Sequence, residues 1–426
     1  MRCVLAMVMG LVLLLSPMFS SAGQERVVSE RSLFVSPVDD LDRVLAFWHD
    51  RVIDRELGGY NTARLGQPEV YRLAVSQARL VWVFSQAHLR GHSTEDRDYL
   101  AAAKHGADYL LEVMRDEEAG GYAYLFSPEG EVREVGRDLY TQAFVIYGLS
   151  AYGRASGDAD AIDEAESLLW WIDETLRDAE GVGWHELARA DGSVVLTMEG
   201  VEDLGGIARP PYRSANAVLH LLEACSELLR ARPGSEIGRE TLSHAYEVLV
   251  GEFYPDDPED CAEWVLRRGG YVPGELRLLS LGHQVEAAWL LAEADELLER
   301  APDRAKLDRY LTHAMSFEAR YVPLAARVGG EVQDADSIWW VQNEAIAGVA
   351  FGAARGWWGM ERGHALVDWY QSKQVDRETG VAFASVDSEG RVIEGIGPSP
   401  WKVGYHDLRM RWMLEEARAA TDGSGR

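Results

Sequence analysis

The strongest constraint in this 426-residue chain is a turn motif that returns at a nearly fixed interval. Asp54-x-Glu56-x-Gly58-Gly59-Tyr60, Asp116-x-Glu118-x-Gly120-Gly121-Tyr122 and Asp178-x-Glu180-x-Val182-Gly183-Trp184 start 62 residues apart, twice. Asp376-x-Glu378-x-Gly380 starts 198 residues after the third, which leaves room for three further steps of similar length. In the last three copies a second turn glycine, Gly130, Gly192 or Gly390, follows 14 residues after the Asp, each preceded by an acid. Asp and Glu beside Gly are ordinary turn chemistry, so the motif reads as a hairpin rather than as a metal site. A repeat of this length holds two helices, and such units bury their apolar faces only by stacking on their neighbours.

Between the turns, apolar residues recur at helical spacing over twelve segments: 39–53, 69–90, 94–115, 137–156, 159–177, 213–231, 235–253, 281–299, 303–320, 335–355, 360–373 and 402–419. Strand signals are confined to short hairpins between them. Six two-helix units closed into a ring leave no exposed end. The expected fold is therefore all-α: a single (α/α)6 barrel over residues 39–420, with short β-hairpins in the inter-helix loops. Length alone would suggest two or three domains, but no stretch looks like a linker between them.

In such a ring every second helix faces the centre, and here the even-numbered segments carry the uncommon side chains. Gln77 and Arg79 fall on the second, Tyr140 and Gln142 on the fourth, Asn216 and His220 on the sixth. The eighth carries His283 and Glu286, the tenth Trp339, Trp340 and Glu344, and the twelfth His406 and Arg409, with Trp401 just before it. Taken alone, His283 would be a core histidine satisfied by Glu286, three residues on along the same face. Three histidines, an arginine, carboxylates and aromatics converging on one concave site instead suit a polyhydroxylated ligand that needs proton transfer. The His-x-x-Glu pairs His220/Glu223 and His283/Glu286 have no third ligand set beside them, so no metal is expected. The nucleotide fingerprints GxGxxG and GxxxxGK(S/T) are absent, so the sequence gives no sign of a nucleotide site.

The segments 76–85, 140–144, 216–224, 282–294, 339–344 and 401–409 span almost the whole chain. In that order they resemble the N-acylglucosamine 2-epimerase superfamily, which includes cellobiose 2-epimerases and mannose isomerases. The resemblance implies an (α/α)6 barrel and cofactor-independent isomerisation at C1/C2 of a reducing mono- or oligosaccharide. It implies His283 and His406 as the two acid/base groups, with His406 the first base. It places Arg79 and His220 on substrate oxygens, Glu286 beside His283 as its orienting partner, and Glu344 on hydroxyls. Trp340 and Trp401 would cover sugar ring faces, with Tyr140 and Asn216 along a hydrogen-bonding edge.

A proton alpha to an aldehyde yields to a histidine only once the sugar ring is open and the enediolate is stabilised. Inverting C2 takes proton-transfer groups on both faces, while aldose–ketose isomerisation returns the proton to C1, so two histidines leave both outcomes open. Val218 stands where disaccharide epimerases tend to carry another His, and Gly404-Tyr405-His406-Asp407 where they tend to have Pro-Tyr-His-Asn. The Gln77-Ala78-Arg79 segment looks closer to monosaccharide-acting members. Two other classes could use the same barrel. A glycoside hydrolase or lyase would employ a carboxylate pair such as Glu286 and Glu344 and leave the histidines idle. An exported sugar-binding protein would keep the pocket without turnover.

Residues 1–22 read as a secretory signal: Arg2, an apolar run from Val4 to Leu15, and Ser20-Ser21-Ala22 before Gly23. The run is short for a membrane span, so a periplasmic or secreted protein free of the membrane is expected. Residues 23–38 form a lead-in and 421–426 a disordered tail. Without the first 22 residues, 41 basic side chains face 70 acidic ones, a formal charge of −29 that argues against nucleic acid and anionic lipid as partners. The expected partner is a small reducing sugar, and the expected assembly a monomer or homodimer. Cys225 and Cys261 could pair in an oxidising compartment, but a chain of this size does not need the bridge.

Overall fold

The computed structural model describes residues 40–423, except 65, 135, 198, 200–207, 268–271, 273–277 and 328–330. The signal, lead-in and last three residues lie outside the described residues. Twelve α-helices occur among the described residues: α1 Leu41–Val52, α2 Ala74–Leu89, α3 Tyr99–Tyr109, α4 Leu139–Ser156, α5 Ala159–Leu176 and α6 Ala215–Ala231, then α7 Glu236–Val248, α8 Leu281–Leu297, α9 Arg304–Ser316, α10 Trp339–Ala354, α11 His364–Trp369 and α12 Tyr405–Gly423. Eleven lie within the segments expected from periodicity. The last overruns its segment, and the helix continues through Thr421–Gly423, where the tail was expected to begin.

Several helices start later than expected because their first residues are strand. β1 (Arg72–Leu73), β4 (Arg137–Asp138), β6 (Tyr212–Ser214), β8 (Leu278–Ser280) and β11 (Ser337–Ile338) each run directly into an even-numbered helix. Their partners come from the hairpins that follow: β1 pairs with β2 (Leu125–Phe126), β4 with β5 (Leu187–Ala188) and β6 with β7 (Trp264–Leu266). β8 pairs with β9 (Ala325–Arg327), and β11 with β12 (Ser385–Val386), all antiparallel, while β3 (Val132–Glu134), β10 (Val332–Asp334) and β13 (Val392–Glu394) add a further antiparallel strand to β2, β9 and β12. Side chains at the last residue of these strands cap the helices: Asp138, Ser214 and Ser280 accept from Thr141, Ala217 and His283 N–H respectively. The N-termini of the even helices thereby share one rim with the hairpins.

The even helices pack in sequence, α2 on α4, α4 on α6, α6 on α8, α8 on α10 and α10 on α12, and α12 returns to α2. The odd helices lie against them: α3, α5, α7 and α9 each pack on the helix before, and α1 on α12. This explains the two kinds of helix in the sequence. α2 is buried from Ala74 to Ala87 without a break and α4 from Leu139 to Gly153, because both faces are covered. α5 buries one side only, through Ala161, Ala165, Leu168, Leu169 and Ile172. Close approach has its own requirement: a Cβ on Gly148 of α4 would lie 2.6 Å from the carbonyl oxygen of Ala78 in α2.

The repeated turns are held by repeated contacts. Asp54 accepts from the N–H groups of Glu56 and Leu57 and meets Arg72 at 2.5 Å, while Asp116 accepts from Glu118 and Ala119 and meets Arg137 at 2.5 Å. Asp178 meets Arg267 at 2.5 Å. Arg72, Arg137 and Arg411 each donate to a glycine carbonyl of a motif copy, Gly58, Gly120 and Gly380. The Asp of each of the first three copies is thus a turn cap with an arginine partner, and Asp376 caps its turn through Thr379.

Gln77 and Gln142, which sit on the even helices beside the expected site residues, belong to this fastening too. The Gln77 side chain accepts from Tyr60 N–H and donates to Tyr60 C=O, both at 2.7 Å. Gln142 does the same for Tyr122 at 2.8 and 2.9 Å, and Gln342 for Val322 at 3.0 and 2.7 Å. Cys225 and Cys261 are both buried and both free. Replacing Gln142 with Leu strips two buried backbone groups of their partners, so Gln142→Leu is expected to lower the unfolding free energy by roughly 2–5 kcal/mol. Urea unfolding followed by circular dichroism checks this, and a loss under about 1 kcal/mol would remove the clamp from the account.

Candidate active site

Because each even helix begins at the same rim, its first two turns present side chains to one central mouth. A cavity of about 380 Å³ opens there, lined by Arg79 of α2, Tyr140 of α4, Asn216 and His220 of α6, His283 and Glu286 of α8, Trp339 and Trp340 of α10, Trp401, and His406 of α12. Nine of the ten residues expected from sequence line this space. The tenth, Glu344, is fully buried behind it.

Beneath the cavity lies a knot of charge. Arg409, the fifth residue of α12, donates to Glu223 of α6, to Glu286 at 2.5 Å and to Glu344 at 2.7 Å. Glu223 also accepts from the Tyr405 hydroxyl at 2.5 Å and pairs with His220 Nδ1 at 2.8 Å. Glu344 accepts from Trp289 Nε1 at 3.1 Å and pairs with His406 Nδ1 at 2.7 Å. Burial works to raise the pKa of Glu223, but Arg409 and His220 outweigh it and hold the carboxyl well below the usual carboxylate range. For Glu344 burial prevails over Arg409, and its pKa is raised. Glu286, Glu344 and His406 could each turn one ligand atom to a common point, all within 4.8 Å of one another. The guanidinium of Arg409 already donates to both of those carboxylates, so the cation they face is the protein's own.

The two histidines expected to move protons stand in opposite electrostatic settings. His406 is buried, and burial together with the positive charges of Arg409 and Arg79 pulls its pKa well below the ordinary value, with Glu286 opposing. For His283 burial also works downward. The charge and hydrogen bond of Glu263, helped by Glu286 and Glu344, overcome it and raise the pKa. Trp340 lies between the rings, with centroids 4.8 Å from His283 and 5.8 Å from His406. Across the cavity Arg79 donates to the Tyr140 hydroxyl at 2.7 Å and to the Trp401 carbonyl at 3.3 Å, with its guanidinium 4.2 Å from the Phe144 ring centre.

Two expectations need correction. Glu286 does not orient His283: Glu263, beside β7, meets His283 Nδ1 at 2.8 Å, and Glu286 turns to Arg409 instead. Glu344 is not placed to hold substrate hydroxyls, since it backs His406 from below the cavity. The i, i+3 spacing made Glu286 the local choice, whereas Glu263 reaches His283 only through the pairing of β6 with β7. No sequence period signals it.

With this geometry in hand, comparison with known proteins is decisive. The family model for N-acylglucosamine 2-epimerase (GlcNAc 2-epimerase) matches residues 63–409. The chain belongs to this family. Among the family's relatives, a cellobiose 2-epimerase from Bacteroides fragilis is 27% identical, covering 86% of this chain and 94% of its own length. The N-acylglucosamine 2-epimerase of Homo sapiens is 26% identical, covering 89% of each. The solved structure of cellobiose 2-epimerase from Spirochaeta thermophila superposes with a TM-score of 0.81 at 27% identity, over 93% of this chain and 98% of that one. The chain is thus an enzyme of the carbohydrate epimerase/isomerase group.

The charge knot makes a stability prediction. Removing Arg409 takes from three buried carboxylates the cation they share, so Arg409→Met is expected to cost about 3–5 kcal/mol at neutral pH. The sign with pH follows from Glu223. In the wild type its folded pKa is depressed, so it stabilises the fold above its unfolded value and loses that contribution only as the pH falls through the folded pKa. Without Arg409 burial dominates and the folded pKa rises, so the variant's deficit should shrink as the pH drops toward about 5. Unfolding at several pH values tests this; a deficit that grows on acidification contradicts it.

Proposed function

We propose that this enzyme moves hydrogen at C2 of the open-chain reducing end of a mono- or oligosaccharide through an enediolate, with His406 and His283 as the two acid/base groups. The observation that carries the reading is the opposed setting of the two histidines around one ring-sized space: opposite shifts in a pair of titratable groups assign acid and base. The names of the relatives, epimerases of cellobiose and of N-acylglucosamine, supply the substrate class. We also read the circuit of even helices as an (α/α)6 barrel, and residues 1–22 as a signal that exports the enzyme.

With Nδ1–H donated to Glu344, neutral His406 carries its lone pair on Nε2, at the nitrogen left for the cavity its ring lines. It removes the C2 proton as the base. The electron pair of the C2–H bond forms C1=C2 and negative charge moves onto O1, where Arg79 and His220 offer donors. His283, its Nδ1 held by Glu263, is the imidazolium that returns a proton to the opposite face of C2 from Nε2. Trp340, between the two rings, and Trp401 cover the C–H faces of the sugar chain. The sequence of steps needs only side chains. Return of the proton to C1 instead, with the O2 hydroxyl proton passed to O1, would give the ketose through the same enediolate.

Purified mature enzyme in D2O should introduce one deuterium at C2 of glucose, mannose, N-acetylglucosamine, cellobiose or mannobiose as the 2-epimer forms, followed by proton NMR. A ketose product shifts the outcome to isomerisation. His406→Asn and His283→Asn are each expected to reduce formation of the 2-epimer by at least about 10²-fold, whereas His283→Asn can still exchange C2–H on the face of His406. Epimer formation surviving either substitution would sink the two-histidine assignment.

The rate should depend on pH in a defined sense. The acid limb of kcat/KM belongs to His406 and falls well below the ordinary imidazole value of about 6.5, and the alkaline limb belongs to His283 and falls above it. A profile whose two limbs both lie below about 6 would contradict the assignment of acid and base.

A further inference from the structure

We infer that Glu263 is a positioning residue for this reaction: it fixes the imidazole of His283 with Nε2 toward the cavity and keeps it as the proton donor. The inference rests on the two-histidine reading above and assigns a part in it to a residue outside the cavity lining. Glu263 is held from two sides. Its carbonyl accepts from the N–H of Ala215, the first residue of α6, at 2.9 Å, and its carboxylate meets His283 Nδ1, in the first turn of α8, at 2.8 Å. One residue thus ties two neighbouring inner helices and one ring nitrogen. Both side chains are largely covered, His283 keeping 18% and Glu263 14% of their exposure.

The imidazole is restrained on its face as well. The Trp340 ring lies 4.8 Å from it at 36°, and α10 comes this near α8 because residue 282 is glycine: a Cβ there would stand 2.5 Å from the Trp340 ring. A ring held at Nδ1 by a carboxylate and on its face by an indole has one free direction, the one in which Nε2 meets substrate. The carboxylate also favours the imidazolium, as the buried Asp of a Ser-His-Asp triad does. The other charged groups around His283 are Glu286 on its own helix, Glu344 on α10 and His406 beyond Trp340 on α12. Glu286 and Glu344 are both engaged by Arg409, which leaves Glu263 as the carboxylate in hydrogen-bond contact with His283 among the described residues.

The test is Glu263→Gln in the full-length mature enzyme, a change that keeps the shape and an acceptor for Nδ1–H but removes the charge. The expected result is a fall in kcat of roughly 10²-fold with KM little changed. With it, the alkaline limb of the pH profile and the His283 imidazole titration, assigned in NMR by comparison with His283→Asn, should both move to lower pH. Glu263→Asp should recover part of both. Unchanged titration and pH limb in Glu263→Gln, with only the melting temperature lowered, would overturn the inference and leave Glu263 a tie between helices. If His283→Asn itself still forms the 2-epimer at the full rate, the two-histidine reading fails instead, so the two failures are told apart.

Discussion

Arg409 lies buried with Glu223, Glu286 and Glu344 around it, and through two of these carboxylates it is joined to His220 and His406 of the central site. A single carboxylate taken out of water costs several kcal/mol after relaxation, and three beside one another would repel strongly at low dielectric. One guanidinium cannot neutralise three full charges. The structure accommodates the excess through its neighbours: Tyr405 and His220 share Glu223, Trp289 and His406 share Glu344, and the raised pKa of Glu344 eases its loss of charge. The four helices concerned, α6, α8, α10 and α12, are consecutive members of the inner circuit. The knot therefore requires those four helices to stand side by side, and in turn fixes how they stand.

The same knot gives the histidines their difference. His406 touches the cationic side of it, with Arg409 Nη2 3.4 Å from Nδ1, and loses affinity for a proton. His283 stands on the anionic side, where Glu263 is its direct partner and Glu286 and Glu344 add to the field. Two imidazoles close enough to flank one indole are thus separated in charge by what lies behind them. That separation is a property of the second layer of side chains, which explains why substitutions out of reach of any sugar are predicted to act on proton transfer.

The period of the turns and the alternation of two-sided with one-sided burial made the helices and their order legible, because each repeat obeys the same local rules of helix face and turn. The cavity residues were legible for a related reason. Even helices all start at one rim, so uncommon side chains in their first two turns converge whatever the details. Contacts between units were not legible. Gln77 and Gln142 look like ligands in sequence, being buried amides on the correct helices, and only the hairpin folded over them shows that they bind backbone. Glu286 was the near partner for His283 along the helix, while Glu263 was the actual one across a strand pair. Helical spacing reports neighbours within one element, and a carboxylate chooses among neighbours from several.

In the proposed reaction the charge difference also sets how the enzyme returns to its starting state. After His406 has taken the C2 proton and His283 has given one, each ring holds the protonation state its surroundings disfavour. Return to the resting state is therefore downhill, and with the two rings on opposite faces of the sugar the protons pass through water rather than through the substrate. The reverse conversion has to begin from that minority state, whose greater intrinsic reactivity offsets its scarcity so that the sugars' own equilibrium is preserved. Separating the two pKa values favours a ready acid and a ready base in one direction at the expense of the other. The arrangement of Arg409, Glu344 and Glu263 thus bears on which of two C2 epimers the enzyme meets in its resting form.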